Sequence, residues 1–202
     1  FAALPVLSNI QGDDTDQVLT GYYGVDIIRG AGGADTLNGL EGDDELFGDE
    51  GDDTVNAGAG NDVLIGGTGT DVLDGGTGDD LLDGGPGDDA LNGGLGNDRF
   101  LFGYGSGRDT IDQNDSTSTA DTVVFGEGIS LTELTLIKEN NDLLIPLAES
   151  SDQLTLKNMF HSSAQFHMNA FEFTDSGETL TRAELFAALP VLSNIQGDDT
   201  DQ

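Results

Sequence analysis

Between residues 21 and 101 a large apolar residue returns at every ninth position: Ile28, Leu37, Leu46, Val55, Leu64, Leu73, Leu82, Leu91 and Phe100. Neither the 3.6-residue period of a helix nor the alternation of one long strand gives this spacing. A fixed polar frame lies between the apolar positions. Written as GGxGxDxUx from Gly21, the block repeats nine times without a gap. Position 4 is glycine in all nine blocks, Gly24 to Gly96, and position 6 is aspartate in all nine. Position 1 is glycine in eight, with Ala57 the exception. A flexible acidic linker of the same composition would hold no such phase.

The block predicts its own geometry. The three residues xUx make a short strand whose middle side chain points inward. The glycine-rich remainder turns the chain, because glycine accepts the positive φ that a tight turn requires. Two blocks, 18 residues, then close one turn of a coil, and stacked turns form two parallel sheets with position 8 packed between them. A tenth block, Tyr104 to Asp112, follows the inserted Phe102 and Gly103 and keeps Gly107, Asp109 and Ile111. A degenerate block, Gly12 to Thr20, keeps Leu19 but has Gln17 where aspartate belongs. Asp13, Asp14 and Asp16 are the carboxylates that could substitute there.

Stacking sorts the aspartates into two columns. Asp26, Asp44, Asp62, Asp80 and Asp98 share one edge; Asp35, Asp53, Asp71 and Asp89 share the other, which Asp109 extends. Carboxylates one strand spacing apart, about 4.8 Å, repel each other unless a cation lies between them. Carboxylates plus loop carbonyls form a calcium ligand set, whereas magnesium wants tight octahedral geometry and keeps its waters. Neighbouring aspartates on each edge frame sites for about seven to nine Ca2+ ions. Net charge points the same way, at -33 from 39 acidic and 6 basic residues. With one inward apolar side chain per block, the array is expected to be disordered without the ion and to fold with it.

That charge excludes a nucleic-acid partner, which needs clustered Lys and Arg, and disfavours an anionic membrane surface. There is no cysteine, hence no disulfide, thiolate zinc site or cysteine nucleophile. No apolar run approaches the ~18 residues of a membrane span, so no membrane insertion is expected. No basic stretch precedes an apolar one as in a signal peptide. The chain starts at Phe1, not Met, and reads as a piece of a longer protein.

After the polar stretch Asp115 to Thr119 the pattern changes. Thr122–Phe125, Leu134–Lys138, Leu143–Pro146, Gln153–Lys157 and Ala170–Phe173 read as short strands, with a hairpin turn at Asn140-Asn141-Asp142. Ser130 with Glu133, and Thr181 with Glu184, are capping boxes. The second opens a short helix, Arg182 to Leu189, stopped by Pro190.

Residues 21–112 resemble the RTX, or haemolysin-type, calcium-binding nonapeptide repeat family, whose repeat folds as a parallel β-roll. The resemblance implies that Asp26, Asp35, Asp44, Asp53, Asp62, Asp71, Asp80, Asp89, Asp98 and Asp109 are calcium ligands, together with loop carbonyls. It also implies export by a type I secretion system and folding outside the cell. Through Asp121-Thr-Val-Val-Phe-Gly, Asn158-Met-Phe and Phe171-Glu-Phe-Thr-Asp, the second half resembles the small β-rich domain that follows such repeats. The expected fold class is all-β: a calcium-bound parallel β-roll, then a small β-rich capping domain with a short C-terminal helix. A cap protects an open parallel edge from unwanted pairing.

A longer repetition bears on function. Residues 1–17, FAALPVLSNIQGDDTDQ, recur identically at 186–202. This gives a period of 185 residues and an expected division into a linker (1–17), the roll (18–112), the capping domain (113–189) and a linker into the next unit (190–202). Val18-Leu19-Thr20 would be the first strand of each roll, with Phe1 to Gln11 packed on its end. The simplest cause is a tandem array of units of a large secreted or cell-surface protein, such as an adhesin stalk, filament or surface layer. Its partners would be adjacent copies of the same unit, head to tail, with self-association into fibres or contact with surface polysaccharide as further roles. The other reading is a calcium-binding accessory or secretion module of a secreted enzyme or toxin, for example a carbohydrate-active one.

Catalytic chemistry is not legible in the chain, and the expectation is that it is not an enzyme. His161 and His167, the only histidines, sit among Met159, Phe160, Phe166 and Met168 and read as packing residues. Adjacent carboxylates such as Asp79-Asp80 belong to the nonapeptide. Ser106 lacks the glycine two residues before it that a nucleophile elbow requires.

Overall fold

The computed structural model of the protein describes residues 8–113, 120–161 and 168–193. The roll is built from β1 (Ser8–Gln11), β2 (Val18–Thr20), β3 (Asp26–Gly32), β4 (Thr36–Glu41), β5 (Glu45–Glu50), β6 (Thr54–Ala59), β7 (Val63–Thr68), β8 (Val72–Thr77), β9 (Leu81–Asp83), β10 (Ala90–Leu95), β11 (Arg99–Phe102) and β12 (Arg108–Ile111). Odd-numbered strands pair in parallel on one side and even-numbered strands on the other. The register advances by 18 residues, as in Ile28↔Leu46↔Leu64 and Leu37↔Val55↔Leu73. All nine position 8 side chains are buried between the sheets, each at most 2% exposed.

Most strands are longer than three residues. Thr36–Glu41 and Thr54–Ala59 run on through positions 1 to 3 of the following block and stay paired there. The turn is therefore confined to positions 4 and 5. Position 4 lies at positive φ in most blocks, as at Gly60 (φ 145). A Cβ on Gly60 would strike the carbonyl oxygen of Gly42 in the turn before, so close stacking of turns requires glycine there.

The first strand is Ser8–Gln11, not Val18–Thr20. β1 pairs with β3 through Ser8↔Asp26 and Ile10↔Ile28, so part of the expected 1–17 linker belongs to the roll. Ile10 supplies the inward apolar residue, which a nine-residue count from Gly21 alone does not reach. Residues 1–7 lie outside the described residues.

Beyond residue 113 come β13 (Asp121–Phe125), a single 3₁₀ turn (Leu131–Glu133), β14 (Leu136–Glu139), β15 (Asp142–Pro146), β16 (Gln153–Leu156), β17 (Met168–Phe173), β18 (Glu178–Thr181), α1 (Arg182–Ala188) and β19 (Val191–Ser193). This β-rich half is built onto the roll's own sheets. β13 and β17 continue the nine-stranded sheet in parallel, and β16 continues the ten-stranded one. Antiparallel pairing then closes both ends: β18 on β17, and the β14–β15 hairpin on β16. Asn140 takes the hairpin turn at φ 55. The Thr181 hydroxyl accepts from the Glu184 backbone N–H at 3.3 Å while Glu184 accepts from that of Thr181 at 2.8 Å, starting α1. After Leu101, aligned with Asp83, comes Phe102 where the preceding turn has Gly84. Phe125 stacks on Phe171 and Phe173, and aromatic rings fill this end of the core.

Candidate metal centre

Position 6 builds two ladders. The backbone N–H of each aspartate donates to Oδ1 of the aspartate one turn on. Asp26 reaches Asp44, Asp44 reaches Asp62, and Asp62 reaches Asp80, at 2.7, 2.7 and 2.8 Å. Asp80 continues to Asp98 at 3.0 Å. On the other edge Asp35, Asp53, Asp71 and Asp89 reach Asp53, Asp71, Asp89 and Asp109, at 2.7 to 3.1 Å. All ten sequence-predicted aspartates therefore fall in the two expected columns, and each is at most 2% exposed.

The other carboxylate oxygen is the informative one. Oδ2 of Asp35, Asp44, Asp53, Asp62, Asp71, Asp80, Asp89 and Asp109 is buried and accepts no hydrogen bond. A buried carboxylate oxygen without a partner is costly. Each such oxygen faces the bare Cα of the position 1 glycine in its own block and, across the gap, a position 1 carbonyl of the next turn. A Cβ on Gly66 would lie 2.5 Å from Asp71 Oδ2 and 2.6 Å from the Gly84 carbonyl oxygen. Absence of side chains at position 1 leaves a cradle lined by a carboxylate and a carbonyl oxygen. Among the described residues no three carboxylate or imidazole groups converge on one point, so the donor set is carboxylate plus backbone carbonyl. That set suits a hard, oxygen-seeking cation of variable coordination such as Ca2+.

The electrostatics agree. Burial pushes these carboxyls up: Asp62 and Asp71 to about 6, Asp80 and Asp89 to about 7, and Asp109 to about 8. The ladder hydrogen bond partly opposes the rise, and the next aspartate in the column adds to it. Asp44 and Asp53 are raised for the same reasons. Without a cation the columns hold protons, and a divalent ion would relieve both burial and repulsion.

Both columns have built ends. Ser8 and Gln17 occupy position 6 in the first turn. The Ser8 hydroxyl donates to Asp26 Oδ1, and the Gln17 backbone N–H donates to Asp35 at 2.8 Å. At the far end Leu154 aligns with Asp109 and Met168 with Asp121, both fully buried. Hydrocarbon thus replaces carboxylate where the ladders stop.

Sequence reading missed three features. Asp121 is an eleventh column member: it accepts from the Asp98 backbone N–H at 2.9 Å. Its signal is Asp121-Thr122-Val123, a D-x-U triplet delayed by an insertion. Gln113 is the second. Its Nε2 donates to Asp98 Oδ2 at 3.1 Å and the Gly94 carbonyl at 2.8 Å, and its Oε1 accepts from Gly93 and Gly94 N–H at 2.9 and 3.3 Å. An amide thus fills the Asp98 cradle. The third is position 5, where an Asx side chain accepts from the next turn. Asp43 takes the Asn61 N–H, Asn61 that of Asp79, and Asp79 that of Asn97, at 2.8 to 2.9 Å. Asp16 does the same for Ala34 at 2.9 Å, which assigns it to this outer ladder. His161 is exposed, and His167 lies outside the described residues.

Comparison with known proteins gives one family. Residues 11–46, 29–64 and 65–100 match the RTX calcium-binding nonapeptide repeat. Among solved structures, the chain is similar to the extracellular lipase LipA from Serratia marcescens, at 21% identity and a TM-score of 0.32 over 77% of this chain. It spans 38% of the lipase chain. It is also similar to the AlgE6R3 subunit of the Azotobacter vinelandii mannuronan C5-epimerase, at 27% identity and a TM-score of 0.30 over 76% of each chain. No curated protein matches the sequence. Among the described residues no helix is long and apolar enough to cross a membrane.

Proposed function

We propose, from the premise that residues 11–100 are an array of RTX calcium-binding nonapeptide repeats, that this chain is a structural unit of a large secreted or cell-surface protein. Calcium folds it outside the cell, and further copies of the unit follow it head to tail. RTX repeats bind calcium in secreted proteins, and bound Ca2+ would supply the positive charge that the orphaned Oδ2 atoms lack. Asp26, Asp44, Asp62, Asp80, Asp98 and Asp121 would hold ions along one edge; Asp35, Asp53, Asp71, Asp89 and Asp109 would hold them along the other. With the Asp98 cradle taken by Gln113, the complement is about eight ions.

The observation that carries the structural role is the identity of residues 1–17 and 186–202. A unit whose ends carry one and the same peptide is suited to repetition, and a stack of calcium-clamped turns is suited to a stiff stalk or fibre. The test is the make-up of the intact parent protein. Further 185-residue copies support the role. A lone copy beside a catalytic domain would make the chain an accessory module of an enzyme or toxin.

A further inference from the structure

The six residues VLSNIQ occur at 6–11 and again at 191–196, inside the repeated peptide. The structure describes complementary parts of the two occurrences. In the second, Val191–Ser193 is β19, paired in parallel with β14 through Leu136↔Val191, Ile137↔Leu192 and Lys138↔Ser193. It is the last strand of the ten-stranded sheet. In the first, Ser8–Gln11 is β1, paired in parallel with β3 through Ser8↔Asp26 to Gln11↔Arg29. It is the first strand of the nine-stranded sheet. Ser8 and Ser193 are the same residue of the repeated peptide, so no residue lies between the two paired stretches.

We infer that, wherever this peptide lies between two units, it is a single strand shared by both. Its first three residues complete the ten-stranded sheet of the unit before, and its last four begin the nine-stranded sheet of the unit after. The inference rests on the tandem reading proposed above and specifies how one unit meets the next.

Packing removes slack from such a joint. Leu189 and Val191 pack on the core of their own unit, and Ile10, the counterpart of residue 195, packs on the core of the roll it opens. Anchors into two different cores thus stand four residues apart. Pro190 stiffens the approach. Exposed large apolar side chains also gather at the two ends that would meet. Val18, Tyr22, Tyr23 and Val25 are 72, 62, 74 and 36% exposed at the start of the roll, and Leu192 is 52% exposed in β19. A second copy is the partner that would cover them, because its β19 leads straight into β1. Each unit then fixes the position of the next, without a flexible tether.

The test removes the strand that covers β3. A chain of residues 13–202 lacks its own β1 but keeps the same peptide at its other end. In calcium it is expected to assemble head to tail, its mass by light scattering rising with concentration, while the 1–202 chain stays monomeric. A synthetic peptide of residues 5–17, added in excess, should halt the growth by occupying β3. A 13–192 chain, with neither copy of SNIQ, should not assemble. A folded 13–202 chain that stays monomeric, or assembly of 13–192 as well, would overturn the inference. Should 13–202 fail to fold, a two-unit segment of the parent spin-labelled at Thr68→Cys in each unit decides: one narrow distance supports the shared strand and a broad distribution overturns it. If the parent held no further copies, the tandem reading would fail, yet capture of the peptide by 13–202 would still be measured independently.

Discussion

Gln113 stands where the rest of the ladder leaves a cradle for an ion, and its removal gives a quantitative prediction. Gln113→Ala deletes four hydrogen bonds: two from the Gly93 and Gly94 N–H groups, one to the Gly94 carbonyl and one to Asp98 Oδ2. Gln113 is 1% exposed, so water does not simply replace them. A net worth of roughly 1 kcal/mol per bond, more for the one to the carboxylate, gives a loss of about 3–5 kcal/mol. That is a large share of the ~5–15 kcal/mol stability of a typical domain. The loss depends on calcium. Once the amide is gone the cradle resembles its neighbours, and an ion entering it at one hundred times its Kd returns about 2.7 kcal/mol. Urea unfolding at a series of calcium concentrations measures both effects. The variant should be weaker at low calcium, should nearly recover at high calcium, and should show a slope of stability against the logarithm of calcium steeper by one ion. Parallel lines for the two proteins would refute the view that the amide stands in for a cation.

Asp62→Ala should raise the calcium midpoint for folding several-fold, because Asp62 lies within a column and faces a gap on each side, whereas Asp13→Ala at the exposed first loop should leave it nearly unchanged; equal midpoints would mean that the columns are wrongly drawn. Gly66→Ala places a methyl in the cradle against Asp71 Oδ2 and the Gly84 carbonyl, and should remove about one ion from the stoichiometry found by calorimetric titration. The ion-free folded roll holds protons on Asp62, Asp71, Asp80, Asp89 and Asp109 that the unfolded chain has released by neutral pH, so its stability falls as pH rises from the ordinary carboxylate range to about 8. Calcium and protons then compete: the calcium midpoint should rise as pH is lowered through this window, with proton release visible as a buffer-dependent binding heat.

The roll was legible because its geometry is periodic. Position 8 and position 6 each report a single environment, repeated in every turn, so phase alone identified the buried apolar seam and the two carboxylate columns. Legibility failed where the period breaks. Asp121 follows Asp98 by 23 residues instead of 18, and a count by nines passes over it. Ser8 and Ile10 hold their places by pairing with β3, while the surrounding residues have lost the glycines that mark a block. Gln113 carries no pattern: its role depends on a side chain reaching back 15 residues to Asp98, which only three-dimensional proximity reveals. The position 5 ladder was visible as an excess of Asp and Asn, but its hydrogen bonds run between turns, and a one-dimensional reading takes such residues for loop decoration. In the second half, alternation located β13 to β17 within a residue or two. It could not show that they extend the roll's own sheets, because parallel pairing between distant segments leaves no local mark.

The most direct test of the central claim, that cations held between the turns complete this fold, is far-ultraviolet circular dichroism of residues 1–202 in excess chelator and then during addition of calcium. The expected result is a disordered spectrum for the array in chelator and a cooperative rise of β signal at about 10⁻⁴–10⁻³ M calcium, with no comparable rise in magnesium. A β-rich spectrum that survives excess chelator unchanged would contradict it.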